Sequence, residues 1–220
     1  MRRGKKYIHF CISVAIISRV KTRNEKAILK IFRAHGGTLR TQQAIQLGVH
    51  QDAIYQLRDR GELTALGRGL YRLSEAPEFA RPDLALVGLR APDAVVCLIS
   101  ALSFHNITTQ VPASIHLAVR RGGYYRIKLD PTPVTVYTFN ADSFDVGLET
   151  HLIENHRVKI YSAARSIVDA FKFRNKLGLD VALEALDYGR RRLKLKNIHI
   201  EPIAQRLRVA NVMAPYLRSG

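Results

Sequence analysis

Residues 58–73 read "RDRGELTALGRGLYRL". Gly61 closes a preceding helix, "ELTAL" and "LYRL" have the composition of two short strands, and Gly67-Arg68-Gly69 forms the hairpin turn between them. Glycine adopts the positive φ that a tight turn demands. The two glycines therefore leave Arg68, the one long cation of the turn, unobstructed toward a phosphate or a narrow minor groove. Arg72 on the returning strand is a second, weaker candidate for the same contact.

Upstream of this hairpin lie three helical patterns. In "NEKAILKIFRAH", residues 24–35, the apolar residues Ala27, Ile28, Ile31 and Phe32 have amphipathic spacing. Asn24 stands at the N-cap and Gly36-Gly37 ends the helix. Thr38 or Thr41 then caps a short helix over Thr41–Leu47, with Ala44, Ile45 and Leu47 turned inward, and Gly48 breaks it. A third helix over His50–Arg60 packs Val49, Ala53, Ile54 and Leu57 on one stripe and carries Gln51, Tyr55 and Arg58 opposite. Each piece alone is common. Their order, with a short Gly-containing turn between the second and third helices and a hairpin after, predicts a winged helix-turn-helix.

That motif assigns roles. Gln51, Tyr55 and Arg58 are expected at the major groove, where Gln pairs with adenine and Arg with guanine. Arg40, Thr41, Gln42 and Gln43, at the start of the second helix, suit phosphate contacts that set register. Asp52 and Asp59 are expected to turn away from the phosphates. The alternative is that all these side chains form ordinary solvated faces.

The charge supports a polyanionic partner. Thirty-five Lys and Arg face eighteen Asp and Glu, for a net +17 and a pI near 10.3. Both halves of the chain share the excess. Neutralising phosphates and releasing their counterions supplies most of non-specific nucleic-acid affinity. Anionic membranes attract the same charge. An apolar fraction of 47% excludes disorder as the main state. Cys11 and Cys97 are the only cysteines, too few for a disulfide framework or a cysteine zinc site, so a reducing cytoplasm is the expected compartment. The start, "MRRGKKYIHFCISVAIISRV", imitates a signal peptide. Its apolar run is shorter than the roughly 20 residues of a span and lacks a small-x-small cleavage site.

The expected division is an extension over 1–22, the winged helix over 23–75, a Pro-containing linker over 76–82, and a mixed α+β domain over 83–220. In the last, residues 83–90 read as a helix and 94–101 as strand or helix alike. Residues 113–119, 131–139 and 156–162 read as strands, and 163–176, 179–192 and 203–217 as helices. Arg165 and Asp169 share a helix face as a structural pair. "RNK" at 174–176 and "GRRRLKLK" at 189–196 offer a possible second basic surface from Arg174, Lys176, Arg190, Arg191, Arg192, Lys194 and Lys196.

The block "GGTLRTQQAIQLGVHQDAIYQLRDRGELTALGRGLYRL" resembles the winged helix of the AbiEi antitoxins of type IV toxin–antitoxin systems. "VVCLISALSFHNITTQVP", "YSAARSIVDAFKFRNKLGLDVALEAL" and "RLRVANVMAPYL" are similar to that family's C-terminal domain. The resemblance runs from about Asn24 to Leu217. It implies a repressor of its own operon that binds inverted repeats in duplex DNA. It also implies a C-terminal domain that counters a nucleotidyltransferase-like toxin without needing a stable complex. His50 departs from the family pattern, standing where such a recognition helix commonly has a Ser or Thr N-cap.

No residue is assigned a catalytic role, no metal ligand and no cofactor are expected, and no membrane partner is implied. His105 and His116 lack companions at ligand spacing. G-x-S-x-G, H-E-x-x-H and phosphate-cradling Gly loops are missing. No Asp, Glu or Gln precedes a Lys by two residues, which counts against a two-carboxylate nuclease. The alternative reading is a general nucleic-acid-binding protein whose C-terminal domain contacts RNA or cleaves DNA.

Overall fold

The computed structural model describes residues 24–123, 127–130 and 132–218. The expected extension over 1–22 lies outside the described residues. The chain divides into two compact units, with the boundary along the sequence between Glu78 and Phe79.

The first unit is built from helix α1 (24–34), strand β1 (Thr38–Arg40), helices α2 (Thr41–Gln46) and α3 (Gln51–Asp59), and strands β2 (Leu63–Gly67) and β3 (Leu70–Leu73). Asn24 is already helical, so it is not the N-cap expected of it. All three helices stop the same way. The N–H of Gly36, Gly48 or Gly61 reaches back to the Arg33, Ile45 or Arg58 carbonyl, and the following N–H reaches the Phe32, Ala44 or Leu57 carbonyl. This paired closure needs a left-handed residue at the turn. The three glycines have φ of 73°, 85° and 76°.

β1 was not anticipated, because three residues between two helices carry no readable period. Its Thr38 is buried in an antiparallel pairing with β3, and the sheet order is β1-β3-β2. Phe32, Ile54, Leu57 and Leu63 fill the core beneath. The second helix corrects one expectation. Ala44 is buried, but Ile45 and Leu47 are 48% and 41% exposed. Ile45 is turned about 100° from Ala44 around the helix, and Leu47 is already the C-cap beyond the last helical residue.

The second unit contains a five-stranded mixed sheet of order β6-β5-β4-β8-β7. Its elements are α4 (Pro82–Arg90), β4 (Val95–Val96), α5 (Leu98–Phe104), β5 (Ile115–Arg120), β6 (Val134–Phe139), α6 (Ala141–Phe144), β7 (Leu148–Ile153) and β8 (His156–Tyr161). Helices α7 (Ala163–Lys172), α8 (Arg174–Leu177), α9 (Leu179–Leu193), α10 (Asn197–Arg206) and α11 (Ala210–Leu217) follow. β4 lies parallel to β8 and antiparallel to β5, and its valines are fully buried. The ambiguous 94–101 run is thus both things: a short central strand, then a helix. β7 was not anticipated, since "LETHLI" pairs a half-exposed face with charge. The helix expected over 163–176 breaks at Phe173. That expected over 203–217 is two helices separated by Arg208, at φ 59°.

Helix α7 is buried nearly throughout and is packed by α5, α9 and α10. Gly189 of α9 permits the approach: a Cβ there would come within 2.6 Å of Ile167 Cδ1. Arg165 and Asp169, both fully buried, form the structural pair expected of them. Arg165 Nε donates to Asp169 Oδ2 at 2.8 Å, and Nη1 donates to the Ser143 and Val146 carbonyls at 2.6 and 2.8 Å. The guanidinium also lies 4.4 Å from the Tyr161 ring centroid. Complete burial pushes the Asp169 carboxyl up to about 6, against the attraction of Arg165. Removing one member of such a pair strands the other charge. Asp169→Ala is expected to lower stability by about 3–5 kcal/mol, and Arg165→Met with Asp169→Leu to recover most of it. Urea unfolding of the two variants measures the difference.

Candidate nucleic-acid interface

His50 caps α3. Its Nδ1 accepts from the Asp52 N–H at 3.4 Å, long for a hydrogen bond. Asp52 lies in the first turn, where a carboxylate complements the helix dipole. Leu57 and Ile54 anchor the opposite side in the core.

Along the outward face the expected trio does come together. Gln51 Nε2 donates to the Tyr55 hydroxyl at 2.5 Å. The Arg58 guanidinium stands 5.1 Å from the Tyr55 ring centroid. Asp59 does not turn away from this face. Its Oδ1 accepts from Arg58 Nε and Nη2 at 2.8 and 2.6 Å, and this bond raises the Arg58 pKa. Tyr55 also packs toward Tyr71 of β3, with ring centroids 6.3 Å apart. The face is therefore a connected array of polar and aromatic side chains.

The wing is a bulged hairpin. Gly67 pairs with Leu70, so Arg68 and Gly69 alone make the loop, with glycine φ of 133° and 67° on either side of Arg68. Arg68 is exposed and has no hydrogen bond or ion pair among the described residues. The Thr41 N–H donates to the Gly69 carbonyl at 2.9 Å, joining the first turn of α2 to the wing. Arg40 pairs in register with Leu70. Backbone geometry thus sets Arg40, Thr41 and Arg68 side by side, an adjacency that required knowing β1.

Three expected contacts have local bonds. The Arg40 N–H donates to Gln43 Oε1 at 3.0 Å, so the Gln43 amide closes the start of α2. Arg has no acceptor with which to return the bond. Gln42 remains exposed. Arg72 points its guanidinium inward: Nη1 donates to Thr38 Oγ1 at 2.9 Å and Nη2 to the Pro77 carbonyl. It pins β1 and the chain leaving β3.

Most of the possible second basic surface is similarly engaged. Arg174 donates to the Phe171 carbonyl. Arg190 closes the end of α11 through the Tyr216 and Leu217 carbonyls and binds Asn197. Arg191 pairs with Asp187, and Arg192 reaches the Asn106 carbonyl while stacking on Tyr188. Lys176, Lys194 and Lys196 are exposed. Lys194 adopts the left-handed conformation that ends α9.

Residues 26–74 match the family model described as "Transcriptional regulator, AbiEi antitoxin". Over these residues the chain is similar to the AbiEi antitoxin regulators. The match covers α1 through β3, so the trio on α3 and the Arg68 turn lie within the matched residues. The "RV2827C protein from Mycobacterium tuberculosis" shares the fold, with TM-score 0.59 and 16% identity over 87% of this chain and 74% of that one. No curated protein matches. Among the described residues no helix is long and apolar enough to cross a membrane, and no three His, Cys, Asp or Glu side chains gather as a metal site.

The weak cap of α3 yields a prediction. A Ser hydroxyl reaches the N2 or N3 amide with shorter geometry than the His50 ring achieves. His50→Ser is expected to raise thermal stability by about 0.5–1 kcal/mol, read by denaturant melts; a loss of stability would show the imidazole to be the better cap here.

Proposed function

We propose that the protein is a DNA-binding repressor of its own operon and the antitoxin of a type IV toxin–antitoxin pair, acting in the cytoplasm. The observation that carries this reading is the wing of an AbiEi-type domain hydrogen-bonded to the start of α2, with unpaired Arg68 at its tip. Arg40, Thr41 and Gln42 meet phosphates beside it, while Gln51, Tyr55 and Arg58 enter the major groove. Gln43 and Arg72 serve the same surface indirectly, by holding α2 and β1 in place. The partner toxin is nucleotidyltransferase-like and is countered by function rather than through a lasting complex. Catalysis is not part of the role.

A protein with net +17 gains affinity by releasing counterions, so binding falls steeply with salt. Arg68→Ala is expected to weaken binding to a duplex carrying the inverted repeats upstream of its own reading frame. The slope of log K against log salt should fall by about 0.9, the value of one lost phosphate contact. The melting temperature should stay unchanged. Unaltered affinity and slope in a titration at several salt concentrations would remove the wing from the interface. Repression of a reporter by the wild type, with rescue of cells expressing the adjacent toxin gene, tests the two roles separately.

A further inference from the structure

The C-terminal unit holds an open cleft of about 350 Å³ bounded by Asn140, Asp142, Ser143, Lys172, Arg206 and Arg208. Three cations thus face one carboxylate, and none of the four makes an ion pair among the described residues. They come from separate places: the end of α7, the end of α10 and the turn beyond it. Lys172 and Arg206 stand in last turns, where any cation complements the helix dipole, so these two charges have an ordinary explanation.

Arg208 does not. It occupies the left-handed position that closes α10, with its N–H on the Gln205 carbonyl and the Val209 N–H on the Ala204 carbonyl. This is the turn that Gly36, Gly48 and Gly61 make in the first unit and Asn106 makes after α5. Glycine is strain-free there, and an arginine is not. Backbone strain retained at a cleft is a mark of function. Lys194 shares the conformation but lies outside the cleft.

The wall opposite is rigid. Buried Arg165 grips the Ser143 and Val146 carbonyls, which locks the α6 segment to α7 about two turns before Lys172. The Asn140 side chain, at the N-cap of α6, makes no capping bond and remains available to a ligand. We propose that this cleft binds the phosphate groups of a nucleotide-sized molecule, with Arg206 and Arg208 as guanidinium forks and Lys172 as a point charge. Its volume falls at the small end of ligand pockets, about 300–1,000 Å³. Asp142 sets the polarity: it repels an undirected anion and offers an acceptor to a hydroxyl or amine.

Calorimetric titration of the full chain with pyrophosphate and with ATP tests this. Saturable binding is expected for both, weakened about tenfold or more in Arg208→Gly through loss of a charge-assisted contact. Ligand-free Arg208→Gly should melt at the same temperature or higher, because glycine suits the turn. Arg206→Gln should weaken binding alike, and Arg68→Ala should leave it intact. Absence of saturable heat with either probe, or equal binding by Arg208→Gly, overturns the proposal. So does a lower melting temperature for that variant, which would make Arg208 structural, or equal displacement of ATP by unphosphorylated duplex DNA, which would assign the cleft to a nucleic-acid backbone.

Discussion

Each of the first three helices must end and reverse within two residues, and only a left-handed residue closes both terminal amides onto the preceding turn. That constraint places Gly36, Gly48 and Gly61, and through them everything that follows. Gly36 delivers the chain into β1, Gly48 sets the angle between α2 and α3, and Gly61 feeds β2. The core around Phe32, Ile54 and Leu57 then packs against helices whose ends the backbone has already set.

The wing inherits the result. Because β1 pairs with β3, the start of α2 lies beside the hairpin turn, and the Thr41–Gly69 hydrogen bond closes the two into one surface. Polar residues then divide by task. Gln43 and Arg72 spend their hydrogen bonds on the scaffold, whereas Arg68 makes none with the described residues. The trio on α3 holds itself in order, since Tyr55 receives Gln51 on its hydroxyl and Arg58 on its ring, and Asp59 fixes the guanidinium from the far side.

In the second unit the corresponding role belongs to Arg165. A fully buried guanidinium is tolerated because an acid, two carbonyls and an aromatic face surround it. One nitrogen, Nη2, and the Asp169 Oδ1 remain without hydrogen-bond partners, so burial keeps the carboxyl easier to protonate than an exposed one. The pair joins α7 to the α6–β7 connection, so strand edge and helix layer cannot shift independently.

Much of this could be read locally. Periodicity located α1 and α3, glycines located their ends, and the G-R-G turn located the wing, because each depends on neighbours within about one helical turn. Arg165 and Asp169 were likewise legible as partners by their spacing. β1 and β7 were not, since short strands take their reality from a pairing partner far along the chain. The fates of Arg72, Arg174, Arg190 and Arg192 were also hidden: the sequence marks them as cations, but only folding brings carbonyls within their reach. The sequence by itself determined the glycine-closed helix ends of the first unit, the hairpin and the excess of positive charge. Tertiary structure alone decided which positive charges stay available, because a guanidinium binds whatever acceptor the fold sets beside it.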